Sequence, residues 1–300
     1  MQQGIVPKPL QLENQIANYS DHIQPFLKWA GGKRQLIPTI KEFLPAKYNR
    51  YYEPFVGAGA VLFAIQPQNA VINDTNRELI NCYQVIRDDP ETLLALCQQH
   101  KEQNSKDYYS SLRTLDRSNS FTELSTQERA ARIIYLNKTC FNGLFRVNNS
   151  DQFNVPYGNY ANPTIVNSNT IKAINTYLNQ YQIKIIEGDF EQALATADQG
   201  SFVYLDPPYQ PISNTSSFTN YSKNGFGETE QVRLRDLCDR LSDRGCQILI
   251  SNSNADLIKK LYDNSRYEII EVKANRAINA VASKRGQISE LLIHNKYKLR

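Results

Sequence analysis

The chain has 300 residues, 41% of them hydrophobic and 21% charged, with a formal net charge of +4 at pH 7. That length holds one large domain or two smaller ones with a full core, and the absence of any apolar run of about 18 residues excludes a membrane-spanning helix. Five cysteines (Cys82, Cys97, Cys140, Cys238, Cys246) form no C-x-x-C pair and no zinc-ligand spacing, and His22, His100 and His294 lie far apart, so the expectation is no metal, buried structural thiols and a reducing, cytoplasmic setting.

Residues 1–23 read as a polar N-terminal arm without the apolar stretch of a signal peptide. Positive charge then concentrates. Residues 24–50 carry Lys28, Lys33, Arg34, Lys41, Lys47 and Arg50 against Glu42 alone, a balance of +5, and residues 273–286 carry Lys273, Arg276, Lys284 and Arg285 with no acid. Such patches neutralise phosphates, although a solvated basic surface has the same composition. The segment Phe26-Leu27-Lys28-Trp29-Ala30-Gly31-Gly32-Lys33 holds the only tryptophan. Its Gly-Gly-Lys suggests a phosphate-binding loop, but that pattern needs glycine at 27 and Ser or Thr at 34, where this chain has Leu27 and Arg34. A strand over Tyr51–Phe55 runs into Glu53-Pro54-Phe55-Val56-Gly57-Ala58-Gly59, and glycines after a strand let a ligand approach the backbone. Asp74 closes the next strand, Ala70–Asp74, where an acid binds ribose hydroxyls. Together they point to an adenosyl-type ligand, either a dinucleotide or S-adenosylmethionine.

The strand–helix alternation breaks between about residues 86 and 170. Helices over Pro90–Lys101 and Thr126–Cys140 lead into a loop rich in Asn, Gly, Pro and Tyr, read as a helical insertion carrying a recognition loop. Within the loop lie Phe141-Asn142-Gly143-Leu144-Phe145-Arg146 and Phe153-Asn154-Val155-Pro156-Tyr157-Gly158. Arg reads guanine and Asn reads adenine in a major groove, and aromatic rings wedge between bases or stack on them. Alternation resumes with strands over Ile183–Glu187, Phe202–Asp206, Cys246–Ser251, Tyr267–Val272 and Glu290–His294. A helix lies between two of them, its Leu234, Leu237, Cys238 and Leu241 on one face and Gly245 as its stop. The pattern implies a doubly wound α/β sheet of about seven strands. Asp189-Phe190 follows one strand and offers an acid and an aromatic to an adenine.

The most specific signal is Asp206-Pro207-Pro208-Tyr209, at the carboxyl end of a strand, where open α/β sheets bind ligands. An exocyclic amine is a weak nucleophile because its lone pair is delocalised into the ring. A carboxylate and a backbone carbonyl that accept its two hydrogens push the nitrogen toward tetrahedral geometry and free the lone pair. The prolines stiffen the turn, so the Pro207 carbonyl is aimed with little freedom, and Tyr209 offers a face for stacking.

In this order, Phe-x-x-Trp-x-Gly-Gly-Lys, Glu-Pro-Phe-x-Gly-x-Gly, a recognition insertion and Asp-Pro-Pro-Tyr, the chain resembles the α group of adenine-N6 DNA methyltransferases, Dam/DpnM type, from about Pro25 to Tyr297. Phe-Asn-Gly-Leu-Phe-Arg and Phe-Asn-Val-Pro-Tyr-Gly are close to those of GATC-modifying members. The resemblance implies a Rossmann-like methyltransferase sheet with an inserted helical DNA-recognition domain. The S-adenosylmethionine-binding catalytic domain would be residues 24–88 and 168–300, and the target-recognition insertion 89–167. It implies that Trp29, Lys33, Phe55, Gly57, Gly59, Asp74, Asp189, Phe190 and Asp206 surround S-adenosylmethionine, with Asp74 on its ribose and Asp189 and Phe190 at its adenine. Asp206, Pro207, Pro208 and Tyr209 would hold a target adenine rotated out of double-stranded DNA. Lys28, Leu144, Arg146, Pro156 and Tyr160 match positions that contact bases of the site, and Phe141 and Asn142 match positions at the vacancy left by the rotated base. Phe141 replaces a tyrosine of some members, and Asn159 replaces an arginine of close relatives. Nothing in the sequence demands a dimer, so a monomer is expected, with a restriction endonuclease as candidate companion. Asp-Pro-Pro-aromatic turns also serve RNA adenine, cytosine N4 and protein amides, and an inactive DNA-binding relative is the remaining alternative.

Overall fold

The structure is a computed structural model and describes residues 22–29, 31–212, 226–275 and 287–297. Most of the expected N-terminal arm, and Arg276, Lys284 and Arg285 of the second basic stretch, lie outside the described residues. Seven strands, β1 (Tyr51–Glu53), β2 (Asn69–Asp74), β3 (Gln182–Glu187), β4 (Phe202–Leu205), β5 (Gln247–Ser253), β6 (Glu268–Asn275) and β7 (Gln287–His294), form one sheet in the order β3-β2-β1-β4-β5-β7-β6. The first five are mutually parallel, while β7 runs antiparallel to both β5 and β6. All seven expected strands are present with ends moved by a few residues. The reversal of β7 carries no mark in residue pattern, because parallel and antiparallel strands buried on both faces look alike.

Each central strand sends alternate side chains to opposite faces, which fixes two cores. Tyr51, Ala70, Ile72, Phe202, Tyr204, Leu249 and Leu292 face one layer. It contains α1 (Ile37–Glu42), α2 (Ala60–Ile65), α3 (Arg77–Asp88) and, later in the chain, the helix over Ser168–Gln180. Tyr52, Val71, Val203, Leu205, Ile248, Ile250, Leu291 and Ile293 face the other. There the helix over Glu228–Asp243 buries Leu234, Leu237, Cys238 and Leu241, the four positions its spacing predicts.

The departure from alternation consists of α4 (Pro90–Glu102), α5 (Lys106–Thr114) and α6 (Thr126–Thr139). Asp89 caps α4, with Pro90 in its first turn. Ser125 and Glu128 close a reciprocal capping box at the start of α6. Leu93, Cys97, Ala130, Ile133 and Ile134 join the core on the α3 side of the sheet. Beyond α6 a separate cluster of Tyr109, Tyr135, Leu136, Cys140, Phe153, Val155 and Ile165 supports the loop after that helix. The remaining helices are α7 (Ser168–Gln180), α8 (Phe190–Ala193), α9 (Glu228–Asp243) and α10 (Asp256–Tyr262). All five cysteines are buried and free. Among the described residues no helix is long and apolar enough to cross a membrane.

Candidate active site

From β1 the chain builds outward to β2 and β3, then returns to place β4 on the other side of β1. This reversal opens a crevice at the carboxyl ends of β1 and β4, where an open α/β sheet binds its ligand. Asp206 leaves β4 at that point. Lys33, which is only 4% exposed, reaches Asp206 Oδ1 with its Nζ at 3.0 Å. The same ammonium donates to the Gly31 carbonyl at 3.1 Å and lies 4.3 Å from the centre of the Tyr209 ring. Burial raises the Asp206 carboxyl to about 6, Lys33 pulls it down and Glu290 pushes it up. The turn is tied on both sides. Gln231 Nε2 donates to the Pro208 carbonyl, Asn252 Nδ2 donates to Gln231 Oε1, and Asn252 Oδ1 accepts the Gln210 N–H. Asp206, Pro207, Pro208 and Tyr209 therefore stand on a cross-braced turn.

Next to this crevice the β1 turn meets the end of β2. Asp74 Oδ2 accepts the Gly57 N–H at 3.1 Å and Oδ1 accepts the Asn76 N–H at 2.9 Å, while burial lifts its carboxyl to about 6. Gly57 has φ +49, and a β-carbon there would sit 2.9 Å from Trp29 Cδ1. Only glycine admits both the backbone angle and the indole. Gly59 heads α2, and the Tyr83 hydroxyl fixes the loop by donating to the Gly57 carbonyl. Glu53, which the sequence reading quoted without a role, is fully buried. It accepts the Tyr51 hydroxyl at 2.7 Å, and burial raises its carboxyl to about 8. A third wall is aromatic: Phe55, Phe190 and Phe226 form a triangle with centres 5.5–6.0 Å apart. Arg233 lies 4.3 Å over Phe190 and pairs with Asp189, Glu191 and Glu230. Asp189 also caps α8 through the Glu191 N–H. Phe190 is thus enclosed rather than open.

The structure ties the loop after α6, the expected recognition loop, to the Lys28 segment through Asn137, near the end of α6. Its fully buried carboxamide accepts the Lys28 N–H at 2.9 Å and donates to the carbonyls of Lys28 and Gly143 at 2.8 and 3.1 Å. Trp29 stacks on Phe145 at 4.7 Å and 26°. Phe141 is 46% exposed, among the few exposed large apolar side chains described. Asn142 takes a left-handed backbone (φ +56), and its N–H is received by the Tyr160 hydroxyl at 2.9 Å. Lys28 Nζ lies 5.6 Å from the Tyr160 ring. Arg146 is exposed, its guanidinium held by Asn154 Oδ1 at 2.7 Å, and the Pro156 carbonyl accepts the Phe141 N–H. Leu144 instead leans on the satellite core. Lys28, Asn142 and Tyr160 are therefore brought together, with Phe141 beside them, while Arg146 is exposed farther along the same loop against Asn154.

Sequence reading missed Asn137, Gln231, Asn252, Arg233 and Glu290. Glu290 alone carried a signal, as an acid inside the apolar run Leu291–Ile293 and Ile288. Among the described residues no group of three or more His, Cys, Asp or Glu side chains is placed to hold a metal.

A seven-stranded mixed sheet of this order, with the glycine turn and the Asp206 turn at its reversal, places the chain among the Rossmann-like methyltransferases. The chain belongs, within them, to the D12 class of N6 adenine-specific DNA methyltransferases, whose family profile matches residues 29–278. It is 49% identical over 274 residues to the type II methyltransferase M1.LlaDCHI of Lactococcus lactis subsp. cremoris, covering 91% of this chain and 96% of that protein. It is 40% identical over 291 residues to the type II methyltransferase M.MjaIII of Methanocaldococcus jannaschii, covering 91% and 99%. It is 33% identical over 274 residues to the DNA adenine methylase of Haemophilus influenzae, covering 90% and 92%. The protein is accordingly an adenine-specific DNA methyltransferase.

Proposed function

We propose that this methyltransferase uses S-adenosylmethionine to methylate N6 of adenine in duplex DNA, at GATC, after rotating the target nucleotide out of the stack. The observation that carries the reading is the partly buried Asp206 carboxylate, paired with Lys33 on the braced turn with Pro207, Pro208 and Tyr209 at the reversal of the sheet. An adenosyl group fits the neighbouring residues. The Gly57 backbone is tied to Asp74 at the end of β2, and Phe55 and Phe226, packed on the enclosed Phe190, supply an apolar wall. Trp29, Lys33, Gly59 and Asp189 complete that boundary, and Asp206 lies between the two halves. S-adenosylmethionine, when bound there, supplies an electrophilic methyl group on a sulfonium.

The chain's own residues do the rest. An adenine inside a duplex is out of reach, so the nucleotide is extruded at a cost of a few kcal/mol. Phe141 and Asn142 fill the gap, and Tyr209 stacks on the extruded base. Asp206 and the Pro207 carbonyl accept the two amine hydrogens and release the nitrogen lone pair. Catalysis is positioning plus electrostatics. The nitrogen sheds one proton once alkylated, and Asp206 is the nearest acceptor.

Residues 24–88 and 168–300 form the catalytic domain on this reading, with 89–167 as the recognition part. Arg146, Lys28, Leu144, Pro156 and Tyr160 read the site. The assignment of GATC is supported by the likeness of the two recognition segments to those of GATC-modifying members. Two of the relatives are named type II methyltransferases, which favours partnership with a restriction endonuclease. The test is transfer of labelled methyl to a GATC duplex and to one whose target adenine is replaced. Label on the first alone is the expected result; equal label on both discards the assigned site. Asp206→Ala is expected to lower turnover at least about 1,000-fold while the protein still binds S-adenosylmethionine. Equal loss of binding and turnover would remove the amine-activating role.

A further inference from the structure

β7 sets Glu290 opposite Ser253, at the edge where β4 and β5 end, because it runs against β5. The residues that follow, Leu291, Leu292 and Ile293, are buried and apolar. An acid next to them is costly unless it is paired. Glu290 Oε2 accepts the Tyr209 hydroxyl at 2.6 Å and lies 3.8 Å from Lys33 Nζ. Lys33 in turn is 3.0 Å from Asp206 Oδ1 and stands over the Tyr209 ring. One carboxylate therefore touches the two side chains that border Asp206.

We propose that Glu290 is a positioning residue of the methyl-transfer site, fixing the Tyr209 ring through its hydroxyl and sharing Lys33 with Asp206. This inference rests on the reading of Asp206 and Tyr209 as the seat of the target adenine. A tyrosine ring free to swing about its side-chain bonds offers no fixed plane to a base. The hydrogen bond to Glu290 pins the far end of the ring, and Lys33 covers one face, which leaves the other for stacking. Lys33 also needs a second anion. With Asp206 as its only partner it would draw that carboxylate to itself, in competition with the amine hydrogens. Glu290 divides the attraction.

Three substitutions separate these contributions. Glu290→Gln keeps an acceptor for the Tyr209 hydroxyl and removes the charge, Glu290→Ala removes both, and Tyr209→Phe removes only the hydroxyl. Methyl transfer to long natural duplex DNA, with kcat and the KM for each substrate, is measured for each, alongside thermal unfolding. Glu290→Ala is expected to lower kcat about 100-fold and Glu290→Gln about 10-fold, the scale of one or two charge-assisted hydrogen bonds. The KM for S-adenosylmethionine should stay within about twofold. In the Tyr209→Phe background, Glu290→Ala should cost about tenfold less, since partners in one network are not additive. Unchanged kcat in both Glu290 variants, or the same cost in both backgrounds, overturns the inference. If Glu290→Ala fails to fold, the kcat of Glu290→Gln decides alone: a value about tenfold lower supports the inference and an unchanged one overturns it. Asp206→Ala and Tyr209→Ala run beside them. Activity retained in those two refutes the underlying reading, whereas activity lost in them and kept in the Glu290 variants refutes the role of Glu290 alone.

Discussion

At Asp206, burial disfavours the charge that accepting an amine hydrogen requires, and Lys33 restores part of it. With the carboxyl near 6, lowering the pH through that value protonates it and removes the acceptor. Activity per free enzyme, kcat/KM, is expected to fall about tenfold per unit below pH 6. Lys33→Met should move that acid limb to higher pH, because the attraction holding the pKa down is gone. A limb that stays in place would separate Lys33 from the titration of Asp206. Arg146 poses a different question of the same kind. Arg146→Ala should relax preference at one base pair by about 1–3 kcal/mol, read from methylation of single-mismatch duplexes. Unchanged preference would take Arg146 off the base-reading surface. Asp206 through Tyr209 was legible in the sequence because the four residues are contiguous and act from one turn. Glu290 was not, since its two partners are 81 and 257 residues away and only the sheet order brings them together.

The element with the most to hold in place is the loop after α6. Asn137 ties both strands of the approach, and no pattern in α6 marks it, because a buried carboxamide with partners across the chain looks like any polar residue on a helix. Asn137→Ala leaves the Lys28 N–H and two carbonyls without their partner in the interior. A loss of about 2–4 kcal/mol in denaturant unfolding is expected. Gly143 stands at the other end of that tie. Its φ is +63, and a β-carbon would fall 2.2 Å from Lys28 Cδ. Gly143→Ala is therefore expected to weaken duplex binding about tenfold or more, the strain and displaced Lys28 being worth at least 1–2 kcal/mol, while affinity for S-adenosylmethionine stays the same. Two helices of this region, α4 and α6, were legible in the sequence, whereas α5 (Lys106–Thr114) was not. The loop's shape was not, since it depends on hydrogen bonds from Arg117 and Tyr109 to the backbone at Phe153 and Val155.

Across the whole molecule, the strand pattern and the one-face spacing of α9 carried the architecture, while the reversal of β7 and the helix α5 escaped it. Burying acids at the sheet's carboxyl edge has a price in stability. Glu53 titrates near 8 in the folded protein and near 4.5 when unfolded. Between those values the unfolded chain has released the proton and the folded one still holds it, so stability declines as pH rises from about 4.5 to 8. Asp74 and Asp206 act in the same direction up to about 6. Glu53→Gln is expected to lose less melting temperature between pH 5 and pH 8 than the unaltered protein, as calorimetry would show. Parallel slopes would mean that Glu53 ionises normally in the fold.

On the proposed function, the stack of Trp29 on Phe145 joins two regions that meet different molecules. Its indole leans on Gly57 at one side, and Phe145 packs edge-on against Phe153 of the recognition loop at the other. Linkage then sets a symmetric condition: by whatever factor a correct DNA sequence tightens the grip on the methyl donor, the methyl donor tightens the grip on that sequence. Discrimination between sequences is in that case partly a property of the loaded enzyme, and binding measured without the donor understates it.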